Sequence, residues 1–302
     1  MAVVALSHPT PAKPAKGGRW SPWLFALPAV VVYVAFLVYP AVSSLFFSLT
    51  NWDGLSATYD FVGLDNYAKL PSDPVVVTAV RNNLIWTVVT IAVPTVIGLG
   101  LAIALNGKVH GKPILRLIFY TPAVLPLVSI ASIWGWLYNP QYGAINSFLR
   151  LIGLDGLAQP WLGQDSTALW AVMVPAIWLR TGFPMLLYLA ALQGIPNELY
   201  EAATVDGASR WQQFWHVTMP SLRPAHYIVL ALSLIDSFKV FDMIYAMTYG
   251  GPGTSTQVMG TWMYFNVFQY YQAGYGTAIA VVITLVAVAV GIPYVRSQTK
   301  EA

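Results

Sequence analysis

Four ionisable residues, Arg180, Asp236, Lys239 and Asp242, sit inside long apolar runs of this chain. A charge near the centre of a bilayer costs about 2.5–3.5 kcal/mol, while each Leu, Ile, Val or Phe returns about 0.3–0.6 kcal/mol. Residues 225–247 set ten of those apolar types against three charges, so that run barely inserts by itself. Its polar stripe must face protein or a water-filled cavity. The pattern Asp236-x-x-Lys239-x-x-Asp242 puts successive charges on adjacent helical positions. Arg180 lies at a similar depth in the preceding run. The expectation is a self-neutralising cluster in which Arg180 meets an acid. Phe238, Phe241 and Tyr245 share another sector of the same helix, and aromatic faces beside carboxylates suit the rings and hydroxyls of sugars. Structural ion pairs and packed aromatics are the plainer alternative.

A second group lies in the stretch LYEAATVDGASRWQQFWHVTMPSLRP, residues 199–224, which is polar and aromatic between two very apolar neighbours. Pro196 suits a first helical position, and residues 197–204 favour a short helix. Asp206-Gly207 reads as a turn, because glycine accepts positive φ. Ser209 can cap a second helix in which Trp211, Phe214 and Trp215 share a face. Pro220 and Pro224 return the chain to the apolar phase. Small alanines, large aromatics and the charge of Glu201 suit a docking surface for a soluble partner. An interfacial helix pair in the headgroups and a solvated loop are the competing readings, although such helices are usually richer in Lys and Arg and a solvated loop does not need three large aromatics.

Other chemistry is poorly represented. The chain has no cysteine, which excludes disulfides and thiol catalysis. His8, His110, His216 and His226 lack metal-ligand spacing. GGPGTST has no Gly-Lys-Ser/Thr ending, so it is not a phosphate loop. No nucleophile–base constellation emerges.

The elements that position these groups follow from composition. Of 302 residues, 57% are hydrophobic and 9% charged, against about 25% charged in soluble domains. Such a chain belongs in lipid. Six runs approach the roughly 20 residues that a crossing needs: 23–49, 84–105, 115–138, 168–192, 225–247 and 277–294. Backbone groups in lipid must bond internally, so the fold class is all-α, a polytopic bundle of six transmembrane helices. The first run is too long for a signal-peptide core and reads as a retained span. With the N-terminus inside, Lys13, Lys16, Arg19, Lys108, Lys112, Arg116, Arg210, Arg223, Arg296 and Lys300 fall on the inner side. Lys69, Arg81 and Arg150 fall outside. That bias makes both termini and the 199–224 insert cytoplasmic. The domains are then a tail at 1–22, a six-span body at 23–295 and a tail at 296–302. Pro94, Pro122, Pro126, Pro175 and Pro184 interrupt spans, as in helices that bend around a pathway.

Glu201-Ala202-Ala203, three residues, Gly207, nine residues and Val217-x-Met219-Pro220 resemble the EAA signature of ATP-binding-cassette importer permeases. The last element is usually Ile-x-Leu-Pro, so Val217 and Met219 depart mildly. LQGIPNELYEAATVDGAS, FKVFDMIYAMTYGGPGTST and WLYNPQYGAINSFL are similar to the sugar branch, of maltose and glycerol-phosphate type. The resemblance covers residue 23 to the C-terminus. It implies a coupling helix within 194–224, between spans 4 and 5, seated on a cytoplasmic ATPase through Glu201, Ala202, Ala203, Asp206 and Gly207, and less directly Trp211 and Phe214. It implies sugar contacts from the spans flanking the insert, matching Thr181, Gly182 and Met185, then Asp236, Ser237 and Val240. The partners it implies are a second permease, two ATPase subunits that hold ATP and Mg2+, an extracytoplasmic sugar-binding protein and membrane lipid, with no nucleic acid. This chain would bind no cofactor and catalyse nothing itself, in a bacterial inner membrane, moving a di- or oligosaccharide.

Two rivals carry different signatures. An ion-coupled sugar carrier needs an intramembrane acid as a proton relay and no ATPase. A membrane glycosyl-transfer enzyme needs acidic residues gathered at one membrane face.

Overall fold

Apolar length sets the architecture. The protein, a computed structural model, is described over residues 21–107, 109–238 and 240–299, with the side chains of 21–24 and 292–299 left aside. Among the described residues, four helices are long and apolar enough to cross a bilayer: α1 (Phe25–Phe47), α2 (Pro74–Asn106), α5 (Ala168–Gln193) and α10 (Ala273–Thr299, apolar through Gly291). A fifth crossing is made if α3 (Lys112–Tyr120) and α4 (Leu127–Leu137) count as one broken span, bent by 100°. Pro122 and Pro126 stand at that bend, where each removes a backbone donor from the helical ladder. The one isolated bridge among the described residues pairs Thr50 with Phe61.

The run expected at 225–247 is not one rod. It divides into α7 (Arg223–Phe238) and α8 (Asp242–Thr248), with Phe241 far from helical geometry at φ −152° and ψ −60°. Each piece is shorter than a bilayer crossing. Asp236 and Asp242 flank the break, and unwound backbone at this depth is tolerated only inside protein or along a cavity. Val240 is buried accordingly. Lys239 lies outside the described residues, as do the tail lysines and Arg19.

Two apolar clusters give the helix directions. Trp86 of α2, Ile130 and Ala131 of α4, Val172 and Met173 of α5, and Met243 and Ile244 of α8 pack together. Ala102 and Leu105 of α2 meet Met185, Tyr188 and Leu192 of α5, with Leu222, Ala225 and Val229 at the start of the return. Early residues of α2 thus meet early residues of α5, and late meet late: the two helices run parallel, while α7–α8 runs back against them. The insert therefore leaves one end of the body.

The opposite end is tied by side chains. Asp73 caps α2, its Oδ1 accepting from the Val75 amide at 2.8 Å, with Pro74 at the first position. Asp73 Oδ2 accepts from Trp262 Nε1 at 3.0 Å and Tyr275 Oη at 2.8 Å. Trp262 belongs to α9 (Met259–Phe268), a helix that lies outside the six expected runs. Asn82 Nδ2 donates to the carbonyls of Ser255 and Gln257, both at 2.8 Å. Outward-facing Val88, Val96, Val128 and Trp136 leave an apolar belt, which suits lipid.

Candidate functional site

The insert folds as a helix–turn–helix. α6 (Asn197–Val205) follows Pro196, which stands one place before the helix as its cap rather than in it. Asp206 ends α6. Gly207 takes φ +78°, and a Cβ placed there would meet nothing within 4 Å, so the turn is set by backbone geometry alone. Ser209 caps the segment Arg210–Gln213 in a reciprocal box with Gln212. Helix–helix closure comes from Gln213 Nε2, which donates to Thr204 Oγ1 at 3.0 Å and the Ala208 carbonyl at 3.2 Å. Tyr200 Oη and Thr218 Oγ1 share a 2.9 Å hydrogen bond, and Tyr200 packs on the cluster that holds Leu192 and Leu222. Tyr200 thereby ties α6 to the end of α5 and to the residues just before α7.

The outer face of this insert has no partner among the described residues. Glu201, Ala202, Val205, Asp206 and Gly207 are exposed, Val205 at 89% and Trp211 at 69%. Trp211, Phe214 and Trp215 form one aromatic trio, with centroids 5.1–5.9 Å apart. Beside them a cavity of about 230 Å³ is lined by Ala203, Asp206, Gly207, Gln212 and His216. Exposed aromatics rimmed by polar groups mark an interaction surface.

Inside the body, Arg180 separates two cavities. One, of about 170 Å³, is lined by Ala123, Phe183, Pro184, Ser233 and Asp236. The other, of about 40 Å³, is lined by Trp86, Leu127, Ala176, Phe241 and Asp242. Arg180 and Asp236 line the larger cavity together, and Arg180 and Asp242 the smaller one. No carboxylate comes within ion-pair reach of Arg180 among the described residues. Trp86 Nε1, at the smaller cavity, is buried without a hydrogen-bond partner among the described residues. The geometry gathers three of the four charges, an arginine and two acids, on either side of the α7–α8 break.

Other residues read from the sequence are placed differently. Thr181 Oγ1 bonds back to the Ile177 carbonyl at 2.7 Å, and Ser237 Oγ to that of Leu234 at 2.8 Å. Gly182 faces α3: a Cβ there would stand 2.8 Å from the Phe119 carbonyl and 3.0 Å from Tyr120 Cα. Met185 is fully buried in the second cluster. Val240 borders the smaller cavity. Tyr245 stacks on Phe241 with centroids 5.1 Å apart and an interplanar angle of 19°, and contacts Tyr249, Tyr264 and Phe265. Sequence reasoning missed Trp86, Phe183 and Ser233 as cavity walls. Phe183 and Ser233 sit three places from Arg180 and Asp236, a helical spacing that was available; Trp86 gave no such signal.

Comparison with known proteins adds four likenesses. Residues 95–299 match the family model described as the binding-protein-dependent transport system inner membrane component. The chain is 38% identical over 273 residues to the probable ABC transporter permease protein YurN of Bacillus subtilis, covering 90% of this chain and 93% of that one. It is 34% identical to the multiple sugar-binding transport system permease protein MsmF of Streptococcus mutans, covering 92% and 95%. Among solved structures, a bacterial alginate ABC transporter in complex with an alginate pentasaccharide-bound periplasmic protein matches in fold, with a TM-score of 0.79, 24% identity and coverage of 91% and 92%.

Proposed function

This chain belongs to the family of binding-protein-dependent transport system inner membrane components, and from that premise we propose that it forms half of the translocation pathway of an ATP-driven sugar importer. The sugar is a di- or oligosaccharide, in keeping with the relatives named for sugar transport. The chain crosses a bacterial inner membrane six times, with α7–α8 as the broken fifth crossing and both termini in the cytoplasm. It pairs with a second permease of the same kind. An extracytoplasmic binding protein delivers the sugar, as the periplasmic protein of the alginate transporter supports in kind.

The observation that carries this reading is the exposed insert at one end of the body, with Glu201-Ala202-Ala203 and Gly207 in a capped helix–turn–helix. Two ATPase subunits, which would hold ATP and Mg2+, seat this coupling segment through Glu201, Ala202, Ala203, Asp206, Gly207, Trp211 and Phe214. When they close, α6 moves. The Tyr200–Thr218 bond and the Leu222 cluster pass that displacement to α5 and α7. Both helices border the Arg180 cavities, so the walls of the pathway shift and access alternates between the two sides. Such a switch requires that the two states differ in their contacts, and Arg180 has two carboxylates between which to choose. Arg180, Asp236 and Asp242 are the pathway residues that the cavities support best, with Tyr245 stacked on Phe241 at the wall of the smaller one. Val240 lines the smaller cavity; Thr181, Gly182, Met185 and Ser237 shape the walls from behind, and Lys239 completes the charge set.

The test is copurification. The chain, expressed with its neighbouring subunits, retains an ATPase. Replacing Trp211 with Ala removes a central aromatic anchor worth about 2 kcal/mol or more, which weakens retention about 30-fold. Unchanged retention in Trp211→Ala and in Glu201→Arg would remove the docking role.

A further inference from the structure

At the end of the body opposite the insert lies a cavity of about 460 Å³, lined by Asn51, Trp52, Asn66, Lys69, Ser72, Asp73, Tyr271, Gln272 and Tyr275. We propose that this cavity binds a neutral pyranose ring, apart from the pathway beside Arg180. Its volume falls in the range of small-molecule sites. Three aromatic rings in its wall offer apolar faces to the C–H side of a sugar.

The walls are held before any ligand arrives. Asn66 Nδ2 donates to the carbonyls of Ser48 at 2.9 Å and Thr50 at 2.7 Å. The Gly274 amide donates to the Trp52 carbonyl at 2.8 Å. Trp52 stacks on Phe47 at 4.2 Å, and Tyr275 is bonded to Asp73. Three distant segments are thus joined into one preorganised rim, which lowers the ordering cost of binding.

Against these fixed walls, the Lys69 ammonium, the Tyr271 hydroxyl and the Gln272 side-chain amide make no hydrogen bond within the described chain. They supply both donors and acceptors. Tyr271 is also held at φ +52° while 54% exposed. Non-glycine residues held in that region cluster at ligand sites. The charge balance selects the ligand. Lys69 is the one cation of the lining and Asp73 the one anion. Burial pushes the Asp73 carboxyl up, but bonds from Tyr275, Trp262 and the Val75 and Val76 amides outweigh it and hold it below 3.8. Neither an acidic nor an amino sugar is favoured over a neutral one. The inference rests on the importer reading only for the source of the ring, a unit of the imported saccharide.

The experiment uses the complete complex in lipid nanodiscs without binding protein. Saturation-transfer NMR is run with the methyl pyranosides of glucose, galactose and mannose, with glucuronate and glucosamine as charged comparisons. At least one neutral ring should receive saturation at millimolar concentration, in preference to both charged sugars. Tyr271→Gly should raise the melting temperature, by releasing the strained backbone, yet cut the transfer several-fold. Gln272→Leu should cut it without affecting stability. Absence of transfer from all three neutral rings overturns the proposal, as does transfer that survives both substitutions, which places the sugar elsewhere. Loss of binding-protein affinity in Tyr271→Gly with sugar transfer intact assigns the cavity to protein docking instead. ATPase retention in the same samples reports on the importer reading separately.

Discussion

Replacing Asp73 with Ala should loosen the whole end of the body that carries the outer cavity. Its carboxylate satisfies four donors: the Val75 and Val76 amides through Oδ1, and Trp262 and Tyr275 through Oδ2. Loss of an N-cap costs about 1 kcal/mol. The two side-chain donors lie partly buried, and a buried donor left unpaired costs about 1–3 kcal/mol. Some water reaches both, so the lower end applies to each and the sum is about 2–4 kcal/mol. Asp73→Asn keeps the cap but turns an amide N–H toward Trp262, which is itself only a donor. It should cost roughly half as much. The assay is thermal unfolding of the purified complex, read at a tryptophan-independent probe, with Ala below Asn below the native protein. The folded carboxyl is depressed, so its contribution is complete above the unfolded value of 3.8 and is lost as pH falls through the lower folded value. The gap between Asp73→Asn and native protein should therefore be the same at pH 7 and pH 5 and shrink only below about pH 4. Equal melting of all three proteins, or a gap that closes near pH 6, would refute the clamp.

Three further outcomes follow from separate parts of the molecule. Gly182→Val pushes a side chain into the Phe119 carbonyl and should cost about 1–3 kcal/mol by overpacking, seen as lower melting and lower uptake together. Arg180→Met leaves Asp236 and Asp242 without their nearby cation; uptake should fall about tenfold or more, the equivalent of about 1.4 kcal/mol, and Asp236→Asn in the same chain should restore part of it. Gly207→Val forces a branched side chain to φ +78° in open space, costing about 1–2 kcal/mol; limited proteolysis should then cut the insert faster while the melting of the body stays unchanged.

The insert was legible in the sequence because its determinants are local. Gly207 at positive φ, the Ser209 cap and the start at Asn197 each follow from a residue and its near neighbours. The long apolar helices α2, α5 and α10 were legible by length and hydropathy, and the prolines at 122 and 126 marked a bend without giving its angle. The α7–α8 break was not, because hydrophobic content is continuous through Phe241 and only tertiary packing decides where the helix opens. Helix α9 was hidden by its Gly/Pro-rich approach. The Asp73 clamp joins residues about 200 apart in the chain, which no local pattern encodes. Family likeness pointed to Thr181, Gly182 and Met185 by position; Gly182 packs against α3 and Met185 against the α2 cluster, while the Thr181 hydroxyl bonds back to its own helix.

The chain lacks cysteine, so one introduced at Val205 reports a single place on the exposed insert. A membrane-impermeant maleimide, applied to oriented vesicles of Val205→Cys, measures the central claim most directly. The account predicts labelling from the cytoplasmic face alone, blocked when the ATPase subunits are bound and restored when they are stripped. Labelling from the opposite face, or labelling indifferent to the ATPase, would contradict it.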